Sequence, residues 1–240
     1  MPSSCQSLPA AATRPPPHAA PSGRRGVTLT ELLIVIAIVG VLSGLLLLVL
    51  GRARASADTA RCSSNLRNIH NWLQLYAADH RGAYPAAFGV TPDFPKGTQY
   101  WTELLDYVQS SAKGALVQNE GGEFSRFWYC PAAANTFPEP PHRVYPINCS
   151  GRSQSAPIMP VNVTSPARTL LLADGAYNPG GGGNSLAYFR DSKASPDERP
   201  DKALEARHGG KVNGIFLDGH VAAFSLTDPN LDTWITNLSK

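Results

Sequence analysis

The feature that most constrains this chain is an apolar run from Leu32 to Leu50, interrupted only by Gly40, Ser43 and Gly44. As an α-helix the run covers about 28 Å, close to the hydrocarbon thickness of a bilayer. A helix that is apolar all round has no face to offer water, so the run predicts one membrane span. No other stretch approaches it, which excludes a polytopic membrane protein. The chain of 240 residues carries a formal net charge of only +3, from 21 Lys+Arg and 18 Asp+Glu. That is too small an excess for a nucleic-acid binder. Arg14, Arg24 and Arg25, with no acid among residues 1–26, supply all of it. Residues 1–23 are mostly Pro, Ala and Ser, cannot bury enough apolar surface to offset their ordering entropy, and are expected to be disordered.

Two ordinary readings of the span compete. One is a cleaved secretory signal, with the basic pair as its n-region and Ala55-Ser56-Ala57 as a small-residue cleavage site. The run exceeds the roughly 7–15 residues of such a core, which counts against it. The other is a signal anchor. Arg24 and Arg25 favour a cytoplasmic N-terminus, although Arg52 and Arg54 on the far side weaken that argument. Glu31 separates the readings, because a carboxylate at the membrane edge of an apolar helix is costly and marks a functional position.

The block Arg24-Arg25-Gly26-Val27-Thr28-Leu29-Thr30-Glu31, running on into Leu32-Leu33-Ile34-Val35-Ile36, resembles the processing site of type IV prepilins and pseudopilins. The resemblance implies cleavage between Gly26 and Val27 on the cytoplasmic face, methylation of the new N-terminus, and Glu31 as the fifth mature residue. Val27 stands where the family usually has Phe, and Thr30 where it often has Ile. The resemblance also implies that Glu31 meets the α-amino group of Val27, on its own or a neighbouring subunit, and helps set assembly register.

Beyond the span, Cys62, Leu66, Ile69, Leu73 and Tyr76 recur at helical spacing, so residues 51–81 are expected to continue the helix as an amphipathic segment. Gly82 supplies a left-handed C-terminal residue, and Tyr84-Pro85 ends any continuation. In the head, Trp101, Leu104, Leu105 and Val108 form one face of a short helix. Residues 111–123 and 131–142 read as loops, and Gly180 to Gly183 as a flexible loop that lacks the Lys-Ser/Thr of a phosphate loop. Arg168 to Asp174 reads as a buried strand. Val212–Leu217 and His220–Leu226 read as a hairpin around a two-residue Asp218-Gly219 turn, pairing Leu217 with His220 and Ile215 with Ala222. Pro229 to Lys240 predicts a terminal helix capped by Asp228, with Leu231, Trp234, Ile235 and Leu238 on one face.

His208 and Asp218-Gly219 are separated by nine intervening residues. With the N-terminal block, Ala60-Arg61-Cys62, Cys130-Pro131 and Ser165-Pro166-Ala167-Arg168, they resemble a prepilin-like subfamily carrying a C-terminal His-x9-Asp-Gly signature. Three roles stay open for the pair. His208 could latch the hairpin by bonding Asp218 or a turn carbonyl. Asp174 and Asp218 with loop carbonyls would suit calcium, whereas adding His208 and His220 would suit a transition metal. A catalytic dyad lacks any accompanying nucleophile elbow or zinc-protease motif. Cys5 falls in the leader. Of Cys62, Cys130 and Cys149, a Cys62–Cys130 disulfide would tie the long helix to a head in an oxidising compartment, with one thiol left over; the alternative is that Cys62 is only a buried stripe residue.

The expected organisation is a leader (1–26), an assembly and membrane helix (27–50), its amphipathic continuation (51–82) and an extracytoplasmic head (83–240). The expected fold is α+β, a long N-terminal α-helix packed on a small antiparallel sheet in a loop-rich, pilin-like head. The expected function is structural and not enzymatic. A prepilin peptidase, an inner-membrane assembly platform, the lipid bilayer and other pilin-like subunits are the partners, with no cofactor other than calcium in view. The rival is a single-pass anchored module that binds a metal or glycan and does not polymerise.

Overall fold

The computed structural model describes residues 26–89, 98–111, 128, 130–137, 144–179 and 185–239. The leader up to residue 25, the Gly180–Gly183 loop, and residues 112–123 and 138–142 of the two stretches read as loops lie outside them; the second stretch opens with a 3-10 turn, Pro131–Asn135. The chain divides into two units, Met1–Leu48 and Val49–Lys240, each considered by itself below.

Helix α1 runs from Leu29 to Asp79. Its start is fixed by a reciprocal cap. The Thr28 backbone N–H and hydroxyl both donate to Glu31 Oε2, at 2.8 Å each, while the Glu31 N–H donates to Thr28 Oγ1 at 3.2 Å. Thr28-x-x-Glu31 is thus a capping box, satisfying N–H groups that the first helical turn leaves without partners. In the first unit, Leu32, Ile34, Ile36, Ile38 and Leu42 are each more than half exposed. Within this unit the apolar side chains are open on all sides of the helix. It is the one helix there that is long and apolar enough to cross a membrane.

In the second unit α1 becomes one-sided. Cys62, Leu66, Ile69 and Leu73 are fully buried, and Tyr76 and Ala77 nearly so. Burying each Leu or Ile contributes about 1.5–3 kcal/mol. The helix stops at Asp79, two residues before the expected end. Arg81 and Gly82 both take positive φ, 56° and 81°, and the Gly82 N–H reaches back to the Ala77 carbonyl at 2.8 Å. That reversal caps carbonyls the last turn would otherwise leave open.

Helix α2 (Tyr100–Ser111) follows a two-stranded ribbon, β1 (Phe88–Gly89) with β2 (Thr98–Gln99). It buries Trp101, Leu104 and Val108. The Tyr76 hydroxyl donates to the Glu103 carboxylate and joins α2 to α1. The main sheet has five strands in the order β5–β3–β4–β6–β7, where β3 is Ile147–Asn148, β4 Leu170–Ala173, β5 Tyr188–Phe189, β6 Val212–Phe216 and β7 Val221–Phe224. The long-helix α+β architecture holds, but the sheet is mixed. β3 and β5 run parallel, whereas the other neighbours are antiparallel. The two short strands escape sequence reading because two residues show no alternation.

The sheet separates two apolar clusters. One holds the α1 stripe with Tyr100, Trp128, Tyr145, Ile147, Leu172, Ile215 and Leu217. The other holds Leu170, Val212, Phe216 and Phe224 with Leu231 and Ile235 of the C-terminal helix, Leu231–Thr236. Alternation along β6 deals residues to the two sides in turn. Gly214 is glycine because a Cβ there would sit 2.6 Å from Leu170 Cδ1 and 2.7 Å from Phe224 Cε1. The C-terminal helix begins at Leu231 and gives way to a 3-10 turn, Asn237–Ser239. Asp228 accepts the Asn230 N–H at 2.9 Å instead of capping a helix that starts at Pro229.

The hairpin register differs from the expected one by one residue. Ile215 pairs with Val221 and Gly214 with Ala222. The loop holds three residues, Leu217-Asp218-Gly219, with Gly219 at φ 91°. The Phe216 N–H donates to the His220 carbonyl at 2.9 Å across its base. Leu217 is drawn out of the ladder because its side chain is buried and its N–H donates to the Thr169 carbonyl, 2.9 Å away. A three-residue loop ending in a left-handed Gly is a standard alternative to the two-residue turn.

Candidate functional site

Four segments meet beside the buried stripe of α1. Cys62 comes from α1, Cys130 from the N-terminus of the 3-10 turn Pro131–Asn135, Asp174 from the residue after β4, and His208 from the turn before β6. Cys62 and Cys130 are joined by a disulfide with Cα atoms 5.0 Å apart. Cys62, Cys130 and Asp174 are fully buried, and His208 is 9% exposed.

His208 is aimed by its turn. Its N–H and carbonyl bond Lys211 at 3.0 and 3.2 Å, and between them Gly209 and Gly210 both take positive φ, 62° and 79°. Two consecutive left-handed residues are what this tight reversal requires, and glycine adopts them without a Cβ penalty. The imidazole then reaches three partners. Nδ1 lies 3.1 Å from Thr59 Oγ1, and Nε2 lies 3.2 Å from Cys130 Sγ and 3.3 Å from Asp174 Oδ2. The Thr59 hydroxyl donates its own proton to the Ala55 carbonyl at 2.8 Å. It is therefore an acceptor for Nδ1–H, which directs Nε2 at the sulfur and the carboxylate.

Asp174 is held from the backbone. Its Oδ2 accepts the Asn213 N–H at 2.8 Å, and its main chain bonds Asn213 and Glu205. Oδ1 is buried and takes no hydrogen bond among the described residues; Arg207 Nη1 stands 3.8 Å away. Arg207 is itself buried. It donates to Glu205 and to the Gly175 carbonyl and lies over the Phe137 ring at 5.3 Å. Burial, then the negative charge of Asp174, pushes the nearby Tyr145 hydroxyl well above its usual range, so it stays protonated.

This geometry corrects two readings of the C-terminal signature. His208 does not latch onto Asp218, and Asp174, His208, Asp218 and His220 do not form one donor set. β6 lies between the two pairs. Asp174 and His208 meet at its start, whereas Asp218 pairs with His220 beyond its end, Oδ1 to Nδ1 at 2.6 Å, on an exposed turn. Burial opposes the charge of Asp218, but hydrogen bonds from the His220 backbone and ring prevail and hold its carboxyl below the usual range. Among the described residues, the cluster of potential metal donors is Cys62, Cys130, Asp174 and His208, whose donor atoms all lie within 4.8 Å of one another.

Three structural contacts were not read from the sequence. The capping role of Glu31 was visible as Thr-x-x-Glu ahead of an apolar run. Thr59 gave no signal, being one more polar residue on an exposed helical stretch. His70, next to Ile69 on α1, is buried. Its Nε2 lies 3.2 Å from the Leu217 carbonyl, and its ring packs where a Gly219 Cβ would fall 3.0 Å from Cε1. Cys149 is a buried thiol outside the cluster; burial pushes its pKa up, against the nearby Arg190 cation.

Residues 21–47 match the family described as a prokaryotic N-terminal methylation motif. No curated protein and no solved structure matches the chain. The matched stretch contains Gly26, Val27 and Glu31, and it ends within the exposed apolar part of α1. The N-terminal segment is thus similar to a prepilin-type methylation motif, and among the described residues it carries the one helix long and apolar enough to cross a membrane.

Proposed function

We propose that this chain is a structural pilin-like or pseudopilin subunit. It is cleaved between Gly26 and Val27, methylated on Val27 and assembled through the first half of α1 into a pilus-like or type II secretion-like filament. The observation that carries this reading is the coincidence of the methylation motif with a helix whose apolar side chains are exposed among the described residues, while residues further along the same helix are buried in a folded head. Covering that surface needs lipid before assembly and neighbouring helices after it. The N-terminus then faces the cytoplasm, the head lies outside the inner membrane, and the head performs no catalysis. The His-x9-Asp-Gly signature has a structural meaning in this reading: it brackets β6, with the His208 turn at one end and the Asp218-Gly219 loop at the other.

N-terminal sequencing of membrane-extracted protein tests the processing step. A start at methylated Val27 is expected; an intact leader, or a start at Asp58, overturns it. A rival reading, an anchored glycan-binding module that never polymerises, draws on a cleft of about 450 Å³ lined by Arg168, Phe216, His220, Asn230, Trp234 and Asn237. Chemical cross-linking in cells separates the two. A ladder that Glu31→Ala weakens supports the filament, and a monomer throughout supports the module.

A further inference from the structure

We propose that Cys62, Cys130, Asp174 and His208 form a structural Zn²⁺ site in the reduced protein, so that the junction between α1 and the head is closed either by a disulfide or by zinc. The inference concerns the head alone and does not depend on filament assembly.

The donor set is the first argument. Two thiolates, one imidazole and one carboxylate suit a borderline-soft divalent ion, and four protein donors in a buried site without an open position are the pattern of structural zinc. The spacing is the second. Bonds of about 2.3 Å to sulfur and about 2.0–2.1 Å to nitrogen and oxygen give a tetrahedron with edges of about 3.4–3.8 Å. Nε2 already lies 3.2 Å from Cys130 Sγ and 3.3 Å from Asp174 Oδ2. The two sulfurs must separate to about 3.8 Å, and all the donor atoms already lie within 4.8 Å of one another.

The surroundings are the third argument. Metal-bound histidines donate their second ring N–H to a fixed acceptor, and ligating carboxylates are held by further hydrogen bonds. Here Thr59 accepts from Nδ1 and the Asn213 N–H holds Asp174 Oδ2. Nε2 also stands 3.3 Å from the Asp174 carboxylate, a contact that a cation between them, proton or metal, makes favourable. Finally, two thiolates cancel the charge of Zn²⁺. Exchanging disulfide for zinc therefore leaves the buried balance among Asp174, Glu205 and Arg207 unchanged.

The exchange balances with a dithiol as co-reactant. A dithiol reductant gives two electrons and two protons to the Cys62–Cys130 bond, becomes a disulfide itself and leaves two thiols. Zn²⁺ then displaces two protons from sulfur and accepts the Nε2 and Asp174 lone pairs. In reverse, a disulfide oxidant removes two electrons from the thiolates, is reduced to two thiols with protons from solvent, and releases Zn²⁺.

The test uses the full chain in detergent, reduced with a phosphine and titrated with Co²⁺. The expected result is one Co²⁺ per reduced chain, with intense tetrahedral visible bands and a near-ultraviolet sulfur-to-metal charge-transfer band. The oxidised chain shows neither. Zn²⁺ should displace Co²⁺ and raise the melting temperature of the reduced protein only. Cys62→Ser should abolish stoichiometric binding, and Thr59→Val should weaken it about 10- to 100-fold through the ring. A reduced wild type that keeps its circular dichroism but yields only weak octahedral bands overturns the proposal. So does a reduced chain that unfolds and is not refolded by Zn²⁺.

Discussion

Reducing the Cys62–Cys130 bond in the presence of a chelator should cost the head about 4 kcal/mol. The two cysteines are 68 residues apart in sequence, and a cross-link of that span removes roughly 15 cal/mol/K of loop-closure entropy from the unfolded chain. At 25 °C this is about 4 kcal/mol, or about a thousandfold in the ratio of folded to unfolded protein. For a unit of this size each kcal/mol moves the melting temperature by roughly 2–4 °C, so a drop of about 8–16 °C is expected. Comparing two redox forms of one polypeptide avoids the cavity that a Cys→Ala change would leave. The chelator prevents metal from stabilising the reduced form. Urea unfolding followed by tryptophan fluorescence is a suitable assay, since Trp101 and Trp128 are both buried in the cluster that contains Cys62. The slope m should rise slightly on reduction, because the uncross-linked chain exposes more surface. Coincident midpoints for the two forms, or a difference below about 1 kcal/mol, would refute the reasoning.

Three other outcomes follow from the head. Leu66→Ala should cost about 2–5 kcal/mol because Leu66 is fully buried under the sheet, whereas Leu32→Ala, exposed in the first unit, should leave head unfolding within about 0.5 kcal/mol; equal effects in chemical denaturation would contradict the one-sided packing of α1. Gly219→Ala should destabilise by about 1–3 kcal/mol, since its φ of 91° is strained for an L-residue and the new Cβ meets His70; an unchanged midpoint would count against the three-residue loop. Burial lowers the pKa of His70 from 6.5 against the raising effects of the Leu217 carbonyl and Asp218, so below about pH 6.5 the unfolded state takes up a proton that the native state refuses. Stability contributed by neutral His70 is then full above that pH and falls as the solution is acidified toward the native pKa. His70→Gln should flatten the melting temperature between pH 7 and 5, and an unchanged slope would show that the ring is free to protonate.

What was legible in the sequence was what repeats locally. The apolar run, the Cys62-to-Tyr76 stripe, the buried strand at Leu170–Ala173 and the hairpin all carry their own period or turn signal. The pairing of Asp174 with His208 does not, because it depends on β4 and β6 being neighbours and on two glycines reversing the chain at His208. The hairpin shows the same limit. Asp218-Gly219 marked the turn, but the demand of the core for Leu217 decided whether two residues or three would make it. Glu31 is the reverse case. Its importance was read from membrane cost, while its nearest duty, capping the helix through Thr28, was written four letters wide in the sequence.

The position of Cys62 has a mechanical consequence. It is the first fully buried residue of α1 among the described residues of the second unit; the helical residues just before it are exposed or half-buried. A pull transmitted along α1 from its N-terminal side would peel the helix from the head one contact at a time, beginning with the Thr59–His208 contact one turn before that residue. The covalent link therefore sits at the tip of the crack, where it converts peeling into shear across Leu66, Ile69 and Leu73 together. A subunit that carries tension through its N-terminal helix is riveted at the point where the load first arrives.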